Sequence, residues 1–126
     1  MGMKILLAPA VIALTLAGAV PAQAADLPAP ARAEIEGLLT SLGASECQFY
    51  RNGSWHPGRE AEDHLRMKYE YLLKKGLVHD TDEFIAGAAT KSSFSGQPYR
   101  VKCPGQAEEE SALWLKEQLT QHRLKS

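Results

Sequence analysis

The sequence predicts an α+β domain in which about four helices pack on a short two-stranded antiparallel ribbon closed by one disulfide bond. Three observations support this fold. Apolar side chains recur at helical spacing in four segments, two short segments have the composition of strands, and each of these two segments carries one of the two cysteines. The domain is expected to span residues 31–124, a length that suits a single domain.

The first 24 residues have the composition of a secretory signal peptide. Lys4 provides a positive start, a largely apolar stretch follows, and Ala22-Gln23-Ala24 has the small-x-small pattern of a cleavage site. A membrane anchor needs roughly 20 apolar residues, and a proline and a glycine interrupt this shorter run. We therefore expect cleavage after Ala24, a mobile lead over residues 25–30, no stable membrane anchor, and a periplasmic or secreted product.

The charge balance argues against two classes of partner. The chain has 14 basic and 15 acidic side chains, and its formal charge is −1. Proteins that bind nucleic acid or anionic membranes usually show a basic excess, and this chain shows none. We expect no nucleic-acid partner and no cofactor.

The first helix is predicted over residues 31–42, with Gly43 as its stop. Its apolar side chains fall at positions i, i+3, i+4 and i+7, which places them on one stripe: Ile35, Leu38, Leu39 and Leu42. Three further helices are predicted over residues 57–75, over a short segment capped by Asp80, and over residues 107–122. Three glutamates in the first turns of the last helix favour it, because the helix dipole stabilises negative charge there.

The two cysteines, Cys47 and Cys103, are expected to form a structural disulfide bond. In an exported protein, an even number of cysteines tends to pair. A redox-active pair or a zinc site is the alternative, but neither a C-x-x-C motif nor a set of four close ligands is present. Closing so long a loop should stabilise the fold by about 4 kcal/mol.

The ribbon is predicted from residues 47–51 and 99–103. The first segment is aromatic-rich and ends at Asn52-Gly53, a strong turn signal, and the second alternates polar and apolar residues between prolines. Antiparallel pairing around the disulfide places three pairs on one face. These pairs are Cys47 with Cys103, Phe49 with Val101, and Arg51 with Tyr99.

Several short motifs occur in a fixed order along the domain. They are Phe49-Tyr50-Arg51-Asn52-Gly53, Glu60-Ala61 with His64-Leu65-Arg66 and Lys68, Glu83-Phe84-Ile85, and Ser92-Ser93-Phe94-Ser95-Gly96-Gln97-Pro98-Tyr99. Together they resemble the YfeK-like proteins, a family of small exported bacterial proteins with no assigned function. The resemblance covers about residues 31–120. It implies a periplasmic or secreted single domain and supplies no catalytic residue.

Four polar side chains spaced by four residues predict one polar ridge on the second helix: His56, Glu60, His64 and Lys68. A pair of them can ligate a metal ion. Eight residues of helix span about 12 Å, so three of them cannot easily grip one ion. We interpret the ridge as a polar helix edge and expect no metal.

A small hydrolase is the alternative function. It would use His64 as the base, Glu60 or Asp63 to orient it, and a serine of the 92–96 loop as the nucleophile. The G-x-S-x-G motif of many hydrolases is absent. A loop rich in serine and glycine more often uses its hydroxyls to satisfy its own backbone.

The preferred interpretation is a non-catalytic binding or interaction module, and a purely structural envelope protein is a third possibility. Loop amides beside arginine can hold a carboxylate or phosphate, so an anionic or peptide ligand is expected, unless these charges are merely solvated or paired. Arg51 either fastens the loop carbonyls or faces an open site, and partial burial favours fastening. The candidate ligand-binding residues are Arg51, Asn52, His64, Arg66, Lys68, Ser92, Ser93, Ser95, Gly96 and Tyr99.

Overall fold

The computed structural model describes residues 27–125, so the predicted signal peptide lies outside the described residues. The elements in chain order are α1 (Ala29–Ala44), β1 (Gln48–Arg51), β2 (Ser54–Pro57), α2 (Gly58–Lys74), α3 (Thr81–Ala88), β3 (Arg100–Lys102), β4 (Glu109–Glu110) and α4 (Ser111–Leu124). None of these helices is long and apolar enough to cross a membrane.

The strands form one antiparallel sheet in the order β2-β1-β3-β4. The α+β class is therefore confirmed, but the predicted two-stranded ribbon is only the central pair of a four-stranded sheet. β2 forms because Asn52 and Gly53 both have positive φ, 49° and 89°, which suits the tight turn that joins two twisted strands. The side chains of β2 are mostly exposed, so no apolar alternation marks it in the sequence.

The predicted register of the central pair is confirmed. Phe49 lies opposite Val101, and Cys47 is bonded to Cys103. Phe49, Val101 and both cysteines are buried. Since side chains alternate along a strand, this register gives the sheet one apolar face for the helices to cover.

The helices cover that face, with α1 between the other three. All four side chains of the predicted α1 stripe are buried. On α4, the Trp114 ring meets the Phe49 ring edge to face at 5.5 Å between centroids, a favourable aromatic geometry. The core therefore lies between one sheet face and the apolar sides of all four helices, and α2 and α4 contact the strands.

The position of α2 depends on a close approach at its first residue. A Cβ atom on Gly58 would lie 2.4 Å from the carbonyl oxygen of Leu42, so only glycine lets α2 start this close to the end of α1. Leu65 and Tyr69 of α2 are buried. This packing fixes which α2 side chains face the sheet and which face α1.

α1 begins earlier than predicted. Ala29 and Pro30 are already helical, and Leu27 belongs to the core, although these residues were expected in the mobile lead. Proline suits the first turn of a helix because its missing N–H needs no partner there. The packed domain therefore includes residues before position 31.

α3 has the predicted cap, but the predicted start of α4 is wrong. The Asp80 carboxylate accepts a hydrogen bond from the Glu83 amide at 2.7 Å, as a capping aspartate does. α4 begins at Ser111 rather than residue 107. Glu109 and Glu110 form β4 because the edge of β3 offers them backbone partners.

Candidate functional site

The hydroxyl group of Tyr99 is the centre of a polar cluster beside α2. The Lys68 ammonium donates a hydrogen bond to this oxygen at 3.0 Å, and His64 Nε2 lies 3.1 Å from it. Lys68 also donates to the carbonyl oxygen of Lys91 at 3.0 Å. His64 and Lys68 are one turn apart on α2 and Tyr99 directly precedes β3, so helix packing on the sheet brings the three together.

The direction of these hydrogen bonds follows from the groups themselves. A lysine ammonium only donates, so the Tyr99 oxygen accepts from Lys68, and its own proton is directed to His64 Nε2. We assign neutral His64, protonated at Nδ1, from this network. Burial, aided by the positive charges of Arg51 and Lys68, lowers the pKa of His64 from 6.5 to about 4. His64 is therefore uncharged near neutral pH.

Arg51 completes the cluster without a partner of opposite charge. Arg51 is half-buried, and its positive charge influences the pKa values of both His64 and Tyr99. Its side chain makes no hydrogen bond or ion pair with another residue of the 27–125 segment. The prediction that Arg51 fastens the carbonyls of the serine loop is therefore wrong.

Lys68 is in the same situation as Arg51. Burial lowers the pKa of Lys68, and its hydrogen-bond acceptors are neutral oxygens rather than a carboxylate. Near neutral pH the cluster thus carries two positive charges that no described carboxylate balances. Partial burial distinguishes these two cations from the exposed lysines and arginines of the described residues that also have no carboxylate partner.

The serine loop uses its own groups to hold its shape. The Ser92 hydroxyl accepts hydrogen bonds from the amides of Phe94 and Ser95 at 3.1 and 3.2 Å, and the Gly96 amide donates to the Ser92 carbonyl. These amides are therefore unavailable to an anion, so the expected cradle of loop amides does not form. Instead, Ser95 donates to the side-chain oxygen of Asn52 at 2.7 Å, which joins the loop to the β1–β2 turn next to Arg51.

Arg66 does not belong to the cluster. It lies two residues from both His64 and Lys68, about 200° around the helix, and binds Glu36 and Glu62 at 2.7 and 2.8 Å. Two carboxylates raise the pKa of Arg66. Arg66 therefore links α2 to α1, and its charge is already compensated.

The arrangement required for a serine hydrolase is not assembled. His64 Nε2 contacts Tyr99 rather than a serine. Glu60, one of the two expected orienting acids, contacts His56 at 3.0 Å. Over the described part of the chain, no group of three or more His, Cys, Asp or Glu side chains is placed to hold a metal ion.

Two spaces adjoin His64. The first is a cavity of about 30 Å³ between the β1–β2 hairpin and α2, with Arg51, Tyr99 and Ser111 in its lining. The Ser111 hydroxyl is buried and has no hydrogen-bond partner among residues 27–125. A cavity of this size has room for about one water molecule.

The second space is a groove of about 220 Å³ between α2 and the serine loop. Its lining consists of His64, Met67, Lys68, Tyr71, Leu72, Gly87 and Ser93. The sequence analysis did not identify Met67 and Tyr71 as site residues. Their spacing from His64 and Lys68, at i, i+3, i+4 and i+7, is the signal that marks them, because it places all four on one helix face.

Comparison with known proteins supports the resemblance noted above. Residues 29–123 match the family of unknown function DUF5329. The uncharacterised protein YfeK of Salmonella typhimurium is 35% identical over 91 residues, which are 71% of this chain and 72% of that protein. No solved structure matches the chain. The YfeK-like resemblance is therefore confirmed, and these relatives assign no activity.

Proposed function

This chain belongs to the family of unknown function DUF5329, and we propose that it is an exported, non-catalytic binding module that holds a small anionic group between Arg51 and Lys68. The observation that carries this proposal is the pair of half-buried cations with no carboxylate partner in the described part of the chain. The positive charges of both residues act on the neutral His64, whose ring provides a third polar group at this site.

Burying a cation without a counterion is unfavourable, because the charge loses part of its hydration. The half-buried arginines Arg66 and Arg100 offset that cost with Glu36 and Glu108. Arg51 and Lys68 leave the cost uncompensated. An anionic ligand at this position would supply the missing charge, and charge-assisted hydrogen bonds to it are the strong kind.

Two features support the exported location. Residues 1–24 have the signal-peptide pattern, and the domain contains a disulfide bond, which forms and persists in oxidising compartments. Expression of the full chain in a bacterium tests this part of the proposal. Intact-mass analysis of the periplasm and medium should show a product that starts at Ala25, whereas an unprocessed chain in the cytoplasm would contradict export.

The anion site is tested with acetate as the probe, because it is a small carboxylate. In an amide-resolved NMR titration at pH 7 and constant ionic strength, we expect saturable shifts near His64 and Tyr99. Arg51→Gln and Lys68→Met should each weaken the apparent affinity at least tenfold. Arg59→Gln serves as the matched control, since Arg59 is an exposed α2 arginine, and it should leave the titration unchanged.

Two results would contradict the anion site. One is a response to acetate that does not saturate. The other is an equal loss of affinity in the Arg59→Gln control, which would mean that acetate responds only to the overall charge of the domain.

A further inference from the structure

We infer that the anionic group is the C-terminal carboxylate of a peptide, and that the last apolar side chain of this peptide lies in the groove beside α2. This inference rests on the proposed function and names the ligand of the same site. It is carried by the position of the groove, its lining, and its size.

The groove adjoins the cation cluster. His64 and Lys68 belong to the Tyr99 cluster and also line the groove, and His64 lines the small cavity next to Arg51. We place the chain attached to a carboxylate at Lys68 in this groove, because Lys68 itself lines it. The ligand has one charged end and an adjacent apolar portion.

The lining of the groove is apolar where the cluster ends. Met67 and Tyr71 are 68% and 59% exposed, and Leu72 lies behind them. Phe94, in the serine loop that borders the groove, is 92% exposed. Contiguous exposed apolar surface, as Met67, Tyr71 and Leu72 provide in this groove, marks protein interaction sites, and the loop that carries Phe94 is held by the Ser95–Asn52 hydrogen bond.

The size of the groove favours a peptide end over a fatty acid. Its volume of about 220 Å³ lies below the roughly 300–1,000 Å³ of pockets that enclose a drug-sized ligand, so it suits one apolar side chain rather than a long alkyl tail. The rest of a peptide can leave the groove into water because its backbone is polar. Ser93 at the groove offers a hydroxyl group to that backbone.

The test compares four probes against the folded domain by the same NMR titration. They are N-acetyl-Gly-Gly-Leu with a free carboxylate, the same peptide with an amidated C-terminus, octanoate, and acetate. We expect the free-acid peptide to bind at least tenfold more tightly than its amide and more tightly than octanoate or acetate. Its shifts should extend from Tyr99 along α2 to Tyr71.

Two variants separate the groove from the anion site. Met67→Ser should weaken the free-acid peptide about fivefold and leave acetate unchanged. Leu113→Ser, at an exposed side chain of α4, is the matched control and should change neither probe. An equal effect of both variants would overturn the assignment of the groove.

The remaining outcomes distinguish the two proposals. If acetate binds through Arg51 but the acid and amide peptides bind equally, or octanoate binds more tightly than the free-acid peptide, the peptide inference is overturned and the anion site stands. If neither acetate nor the free-acid peptide produces saturable shifts, both proposals are overturned.

Discussion

The two ends of the β1–β3 strand pair differ in polarity and charge. At one end, Cys47 and Cys103 are covalently joined and buried. At the other end, Tyr99 accepts a hydrogen bond from Lys68 of α2 and lies within the electrostatic influence of Arg51, and neither cation has a described carboxylate partner. The same two segments of chain thus carry a closed, apolar end and an open, charged end.

One end of this strand pair stabilises the fold, and the other carries the proposed binding site. The disulfide end restricts the unfolded chain and packs against the core, which stabilises the fold. The charged end holds Arg51 and Lys68 half-buried without a described carboxylate, which is unfavourable for folding. Perturbed pKa values, such as that of His64, often mark functional sites, and we propose that the charged end binds the ligand.

Removal of the disulfide bond should have the largest effect. In the Cys47→Ala, Cys103→Ala double variant, the free energy of unfolding should fall by about 4 kcal/mol, because the unfolded chain regains loop entropy. Urea denaturation measures this loss. The His64 chemical shift of the remaining folded protein should not change, and a marked change would mean that the two ends are not independent.

The second-largest effect should be the pH dependence of the free energy of unfolding, which reports on His64 at the charged end. The pKa of His64 is about 4 in the fold against the usual 6.5, so the unfolded chain binds more protons between these values. Stability is then full above pH 6.5 and is lost as the pH falls towards 4. After discounting for solvent screening, the loss is about 1–2 kcal/mol.

The His64→Gln variant isolates this contribution. It should flatten the dependence of unfolding free energy on pH between 6.5 and 4.5. Glu34 does not interfere in this window. Hydrogen bonds, mainly from Arg123 and Thr81, lower the pKa of Glu34 from 4.5 to about 2 in the fold. Its contribution to stability therefore changes with pH only below about 4.5. The exposed His79 provides the control as His79→Gln, and an identical slope in wild type and His64→Gln would contradict the assignment.

Substitutions of two α2 cations, Arg66 and Lys68, should have the smallest effects on the free energy of unfolding, and the two effects should differ. Arg66→Met should lower the free energy of unfolding by about 1 kcal/mol, because the charges of Glu36 and Glu62 lose their partner. Lys68→Met should leave stability within about 0.5 kcal/mol or raise it, since a cation without a carboxylate partner is replaced by an apolar group. Thermal denaturation of both variants tests this, and equal losses would contradict the distinction.

The sequence predicts the features that depend on local pattern or on a covalent link. The α1 stripe, the Asp80 cap and the register of Phe49 with Val101 all follow from spacing and from the disulfide. β2 and β4 do not, because their pairing depends on the sheet edges of neighbouring strands rather than on their own side chains. The short β4 pairs with β3 in this way and delays the start of α4 to Ser111.

Only part of the candidate site was predicted from the sequence, because its other contacts depend on how the elements pack. The position of Arg51 near Tyr99 follows from the ribbon register, and the spacing of His64 and Lys68 places both on one side of α2. The sequence does not reveal that Arg66 is compensated by Glu36 on α1, because that contact depends on helix packing. Nor does it reveal that the serine loop uses its own amides.

The pKa of His64 in the presence of an anion tests the binding site most directly. NMR can follow the imidazole from pH 3 to 8 with and without trifluoroacetate, a carboxylate that stays ionised over this range, at constant ionic strength. We expect saturating trifluoroacetate to raise the His64 pKa from about 4 by roughly one unit, because a bound anion offsets the charges of Arg51 and Lys68. An unchanged His64 pKa at concentrations that saturate any other signal would contradict an anion site between these residues.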